Sequence, residues 1–193
     1  MNEVFTIGHS NHSLEKLIAL LNKYSITAIC DVRSHPYSKH NPQFNREHIQ
    51  NELKRHDILY VFLGKELGPR SEDPACYANG KVQYHLLAQS RIFQQGLERL
   101  KKGMQSFRLA ILCAEKDPIM CHRTILVCRH LQSEDIEIKH ILEDGSFESH
   151  VDAERRLMQL LKIPKLQLFE STEELIQRAY DIQSEKIAFS EQK

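Results

Sequence analysis

Residues 108–131 read RLAILCAEKDPIMCHRTILVCRHL, and this stretch decides the fold class. Arg108–Cys113 is a short apolar run bounded by polar residues, so it reads as a buried strand. Asp117-Pro118 supplies an N-cap and a first-turn proline, which predicts a helix running to about Leu131. Strand, polar loop and helix in succession form half of a βαβ unit.

The same grammar repeats on both sides. Upstream, Val4–Ile7 reads as a strand ending at Gly8, and Ser13 caps a helix with Leu14, Leu17, Ile18 and Leu21 at helical spacing. Ile26–Cys30 is a second strand, Ser34–Asn45 a loop, Arg46–Arg55 a helix and Ile58–Leu63 a third strand. Gly68–Gly80 reads as loop and Gln83–Lys101 as one long helix. Downstream, Ile136–Leu142 is a fifth strand and Glu143-Asp144-Gly145 a turn. Helices are expected at about His150–Lys162 and, past Pro164, at Thr172–Lys186. The expected fold is α/β, a mainly parallel five-stranded sheet flanked by helices, because near-continuous apolar strands are covered on both faces. Residues 1–162 would form this domain. Residues 163–193, with Ile163, Leu166, Leu168 and Phe169 ahead of the last helix, would be an arm packed on it or on a second subunit.

Composition narrows the function classes. In 193 residues there are 26 basic and 26 acidic side chains, so bulk polyanion binding has no support from net charge. Hydrophobic residues make up 41%, enough for a core, and no apolar run approaches the ~18 residues of a bilayer span. The start, MNEVFTIGHS, has no basic n-region and does not read as a signal peptide. Five cysteines without an export signal point to a reduced, cytoplasmic chain.

Ligands of open α/β sheets bind outside the carboxyl ends of the strands. The segments there carry His9 and Ser10, then Asp31, Arg33 and His35, then Gly64-Lys65-Glu66, then Cys113, Glu115, Asp117, Cys121, His122 and Arg123. Cys113 ends its strand, and Cys121 would lie in the first turn of the following helix, where amides and cations favour a thiolate. Cys30 and Cys128, inside apolar runs, read as core residues, and Cys76 as an incidental loop residue. Asp117 reads as the helix cap. No Walker A, GxGxxG, HExxH or CxxC motif is present, and the Cys113–Cys121 spacing is not that of a standard zinc knuckle.

The blocks TIGHSNHSLEKLIALL, DVRSHPYSKHNPQFN, ELGPR and CAEKDPIMCHRTILV resemble the DUF488 family of prokaryotic proteins, over most of residues 4–145. The resemblance places the family pattern on His9, Ser10, Asp31, Arg33, His40, Asn41, Phe44, Gly68, Arg70, Cys113, Glu115, Cys121, His122 and Arg123. It implies no particular activity. A fainter likeness, ICDVR to the second strand of rhodanese domains, is offset by Glu115 and Asp117, which occupy the loop where an anion cradle would stand.

Three readings result. The leading one is an enzyme acting on an anionic substrate (phosphorylated, nucleotide or nucleic acid) through a Cys/His/Arg site. Cys113, Cys121, His9, Glu115 and His122 would be its catalytic candidates. Ser10, Asp31, Arg33, His40, Asn41, Arg70 and Arg123 would bind the substrate. The second is a non-catalytic nucleic-acid or protein binding module using Arg33–Lys39 and Arg70. The third is a metal-dependent hydrolase with ligands from His9, Asp31, His35, Cys113, Glu115, Cys121 and His122. The sequence fixes no cofactor and no metal ligand set. A homodimer is compatible with it, and a membrane partner is not expected.

Overall fold

The computed structural model describes residues 2–132, 135–164 and 169–191. Strand β1 (Asn2–Gly8) leads to helix α1 (Leu14–Lys23), where the Ser13 hydroxyl accepts the Lys16 N–H as the sequence predicts. Strand β2 (Ala28–Asp31), helix α2 (Arg46–Arg55) and strand β3 (Leu59–Phe62) follow. Next come α3 (Gly64–Leu67), a hairpin of β4 (Tyr77–Ala78) and β5 (Lys81–Val82), α4 (Tyr84–Gln89) and α5 (Arg91–Met104). After β6 (Leu109–Cys113) the chain forms α6 (Arg129–Leu131), β7 (Ile136–Ile141), β8 (Phe147–Ser149), α7 (His150–Leu160) and α8 (Thr172–Ile187).

The fold is α/β, and among the described residues the sheet has six strands in the order β3-β2-β6-β1-β7-β8. The first five run parallel, and β8 pairs antiparallel with β7. The extra edge strand escapes a sequence reading because it is short, follows a tight turn at Gly145 (φ 81°) and leads directly into α7. Alternation along the strands sorts side chains onto two faces. Phe5, Ile7, Ile29 and Leu112 pack under α1 and α2 with Leu17, Leu21, Ile49 and Leu53. Val4, Cys30, Ile111 and Cys113 face the other layer, which holds Leu97, Leu100, Leu126 and Leu175. These leucines are 3% exposed or less, so truncating any one to Ala would cost about 2–5 kcal/mol.

Two helices differ from expectation. Gln83–Lys101 is split at Ser90, whose extended backbone starts α5 and whose hydroxyl accepts the Phe93 N–H; a capping serine offers the backbone an alternative to continuing the helix. The helix expected from Asp117 is also broken. Asp117 caps only a 3₁₀ turn (Pro118–Met120), Cys121 is extended (φ −131°, ψ 140°), and a π-helical turn (Arg123–Cys128) follows. Cys121 therefore lies before the helical segment, not in its first turn. Cys76 is buried (2% exposed) in the layer of Leu87 and Leu97.

Helix α8 lies over the π turn and the 3₁₀ turn, with Gln183 donating to the Ile119 carbonyl at 2.9 Å. The segment after it pairs with the hairpin: Val82 N–H donates to Phe189 O and Glu191 N–H to Gly80 O. Ile163 is buried and Phe169 exposed, while Leu166 and Leu168 lie outside the described residues. Among the described residues no helix is long and apolar enough to cross a membrane.

Candidate functional site

Register brings the ends of β1, β2 and β6 side by side: Gly8 stands opposite Cys113, and Asp31 opposite Leu112. The same alternation that sorts the core then sends the rim residues to either side of the sheet as two neighbouring groups, close enough that Arg33 senses Cys113 and His9 senses Glu115.

On the face of α1 and α2, Asp31 and Arg33 form a buried ion pair. Arg33 Nε and Nη2 donate to the Asp31 carboxylate at 2.9 and 2.6 Å, and Tyr60 donates its hydroxyl to Asp31 at 2.7 Å. Arg33 Nη1 lies 3.1 Å from His9 Nε2. A guanidinium only donates, so His9 Nε2 is the acceptor and Nδ1–H donates to the Ser10 carbonyl at 2.8 Å. Burial first, and the Arg33 charge second, lower the His9 pKa to about 4. His9 is thus a neutral holder of Arg33, with its ring stacked 4.3 Å from that of Phe44.

On the other face four donors converge. The side chains of Cys113, Glu115, Cys121 and His122 place one ligand atom each within 4.8 Å of all the others. Both thiols donate to Glu115 Oε2 at 3.1 Å, and His122 Nδ1 is 3.5 Å from Cys113 Sγ and 4.0 Å from Cys121 Sγ. His122 Nε2 is 3.0 Å from the Val32 carbonyl. That oxygen only accepts, so Nε2 carries a hydrogen and Nδ1 is the ring nitrogen turned to the sulfurs. Burial lowers the His122 pKa, but contact with Cys121 and the Glu115 charge outweigh it and raise the ring above its ordinary value. Burial pushes the Cys121 thiol well above its ordinary value. Burial also pushes Glu115 up, but the hydrogen bonds from Cys121 and Cys113 outweigh it, and the carboxyl titrates below its usual range.

The backbone around the cluster is gripped from behind. Arg123, fully buried, donates from Nη1 to the Glu115 carbonyl at 2.6 Å and from Nη2 to the Lys116 carbonyl at 3.2 Å. Gly8 permits this approach: a Cβ there would lie 1.8 Å from the Glu115 carbonyl oxygen. The Arg123 N–H also points at Cys121 Sγ, at 3.4 Å.

Above the cluster is a cavity of about 170 Å³. Glu115 and His122 reach it from the floor, and Arg70, Tyr84, Ile187 and Phe189 from its walls. The Arg70 guanidinium stacks 4.2 Å from the Phe189 ring. Burial, then the neighbouring cluster, raises the Tyr84 pKa, so its hydroxyl stays protonated.

The profile of the family described as Domain of unknown function DUF488 matches residues 13–129, more than half of the chain. The chain belongs to the DUF488 family. The DUF488 match contains all four clustered donors, Arg70, Arg123 and the Asp31–Arg33 pair, and leaves out His9, Ser10 and the α8 wall of the cavity. Neither the curated proteins nor the solved structures contain a match.

Of the residues predicted from sequence, Cys113, Glu115, Cys121 and His122 meet, with Arg70 above them. His9, Asp31 and Arg33 form the second group. Arg123 is spent on backbone carbonyls rather than presented to a ligand. Ser10 adopts a left-handed backbone (φ 48°), with its hydroxyl on Asn11. The His40 and Asn41 N–H groups bind Ser38 Oγ, and neither residue lines the cavity. His35 is exposed and outside the donor cluster. Tyr84, Ile187 and Phe189 were not predicted. Nothing in their local sequence marks them, because the fold alone brings them to the rim.

Proposed function

We propose that the chain is a metal-dependent hydrolase acting on a small anionic substrate, with Cys113, Cys121 and His122 as buried ligands of a divalent ion and Glu115 as the ligand nearest solvent. The observation that carries this reading is the convergence of four donor atoms within 4.8 Å at the floor of a cavity. Metal–ligand bonds of about 2.0–2.3 Å put neighbouring tetrahedral ligands roughly 3.3–3.8 Å apart. The contacts of 3.1 to 4.0 Å in the cluster bracket that range.

Chemistry and charge agree with the distances. Thiolates and imidazole select zinc and similar borderline ions over magnesium or calcium. The Val32 carbonyl fixes the His122 tautomer, as outer partners of metal-binding histidines do. Two thiolates, a carboxylate and a divalent ion leave one negative charge, which the buried Arg123 guanidinium offsets.

A bound ion would supply Lewis-acid stabilisation of charge on a substrate oxygen and activation of water. The protein supplies the rest. Arg70, braced on Phe189, orients the anion, and Tyr84 donates a hydrogen bond. A free-thiol nucleophile fits less well, since burial raises Cys121 and both thiols already donate to Glu115. A polyanion-binding loop at 33–39 also fits less well, because Arg33 is buried against Asp31.

The test is titration of metal-free protein with Co(II), followed by hydrolysis assays on small phosphate and carboxylate esters. Wild type should show thiolate-to-Co(II) charge-transfer absorption that Cys113→Ser and Cys121→Ser lose. Arg70→Gln should keep the absorption and raise KM. Wild type without the absorption defeats the metal reading. Metal binding with no turnover of any ester leaves a closed structural site and defeats the enzymatic one.

A further inference from the structure

We propose that the buried chain Thr6–His140–His150–Tyr180–Glu154 is a positioning device for the metal site, fixing Arg123 and through it the backbone that carries Glu115. The proposal rests on the metal reading above and adds to it residues from β1, β7, α7 and α8 that touch no ligand atom.

The chain is continuous and none of its members is more than 7% exposed. Arg123 Nε donates to Thr6 Oγ1 at 3.3 Å, and Thr6 Oγ1 is 2.8 Å from His140 Nδ1. His140 Nε2 is 3.0 Å from His150 Nδ1, and His150 Nε2 is 3.0 Å from the Tyr180 hydroxyl. Tyr180 donates to Glu154 Oε1 at 2.9 Å. Thr6 and His140 are register partners on neighbouring strands, and Glu154 stands one helical turn after His150.

The two ends give the chain one polarity. A guanidinium can only donate, and a carboxylate can only accept. Each group between them has one hydrogen to give and one lone pair to use. Thr6 therefore donates to His140, His140 to His150, and His150 to Tyr180. Both imidazoles must be neutral Nε2–H tautomers, and burial, which pushes both rings' pKa values down, keeps them so. All three Arg123 guanidinium nitrogens are then engaged: two on the carbonyls of residues 115 and 116, and Nε on the chain. A guanidinium fixed at three points can hold two carbonyls in place. Buried polar networks of this kind cost desolvation that apolar packing avoids, and satisfied ones specify a single geometry.

The test compares Thr6→Val, Thr6→Ser and Tyr180→Phe with wild type by Co(II) affinity and absorption, alongside thermal unfolding. Removing outer partners of metal sites lowers affinity by about 10–100-fold. A fall of that size, with an altered spectrum, is expected for Thr6→Val, a smaller fall for Tyr180→Phe, and wild-type values for Thr6→Ser. Lowered Tm with unchanged affinity and spectrum overturns the proposal. A fall confined to Thr6→Val overturns the chain as the acting unit. If wild type binds no Co(II), the metal reading fails separately. Amide hydrogen exchange at Ala114–Lys116 of metal-free protein then decides the positioning role. Exchange should be faster in Thr6→Val and Tyr180→Phe but not in Thr6→Ser, and equal rates in all four proteins overturn the proposal.

Discussion

Replacing Gly8 by Ala tests the link between strand packing and the candidate site most directly. The added methyl carbon would sit 1.8 Å from the Glu115 carbonyl oxygen and 3.1 Å from Arg123 Nη1, where contacts under 3.0 Å are not tolerated. Gly8 is pinned by pairing with Cys113 in the interior of the sheet, so β1 cannot retreat. The Glu115 peptide must therefore move by more than an ångström, which breaks the 2.6 Å bond from Arg123. Overpacking of this kind costs about 1–3 kcal/mol or more. In a chain of this length each kcal/mol lowers Tm by about 2–4 °C. On the proposed metal reading the displaced peptide carries a ligand, so Co(II) affinity should fall by about 10–100-fold in the same variant. Thermal unfolding and Co(II) titration on one preparation measure both effects. A Gly8→Ala protein with wild-type Tm and affinity would refute the argument that close backbone approach holds the Glu115 loop.

Three further outcomes are expected. His150 is buried and neutral, its pKa lowered from 6.5 to about 4, so the unfolded chain binds more protons there between those values; the His150 contribution to stability should be full above pH 6.5 and fall by about 3 kcal/mol as pH drops to 4, on top of the same-signed contributions of His9 and His140. Urea unfolding at pH 4.5 and 7 measures this, and a His150→Gln slope as steep as wild type would remove His150 as the cause. Asp31→Asn leaves the Arg33 charge buried without its partner and should cost about 3–5 kcal/mol by urea unfolding; a loss under about 1 kcal/mol would mean Arg33 finds solvent or another acceptor. Burial pushes the Cys30 thiol up to about 12, so iodoacetamide at pH 8 should leave Cys30 unlabelled in native protein. Peptide mass spectrometry showing labelled Cys30 before global unfolding would contradict that burial.

What could be read from the sequence follows from which forces are local. ITAIC and RLAILC declare themselves as strands because a sheet covered on both faces demands unbroken apolar runs. Ser13 and Asp117 declare themselves as caps because a side-chain oxygen three or two residues ahead of an N–H is a local geometry. The break at Ser90 was hidden, since its neighbours continue a helical period and only the tertiary fit chooses the cap. Cys113, Glu115, Cys121 and His122 were legible as a set because they are neighbours in sequence. Their convergence was not, because it depends on a 3₁₀ turn returning extended Cys121 to the strand end. The side of the sheet on which His9, Asp31 and Arg33 stand relative to that set needed the register, which decides the face each one takes. Thr6 meeting His140, or Phe189 meeting Arg70, required the strand order and the path of α8, which no short-range pattern carries.

The order β3-β2-β6-β1-β7-β8 also has a kinetic meaning. β6 lies between β1 and β2, so those two strands cannot touch each other directly, and an apolar slot stays open until residue 109 and beyond arrive. Insertion of a central strand from so far along the chain is a non-local closure of the sort that slows folding. The strand that fills the slot ends in Cys113, and the other three donors follow it within the next nine residues. The donors therefore lie on the segment that closes the sheet, and the expected outcome is that the set forms with that step rather than before it. Metal added during refolding should accordingly leave the rate of sheet closure unchanged and act afterwards, by slowing unfolding.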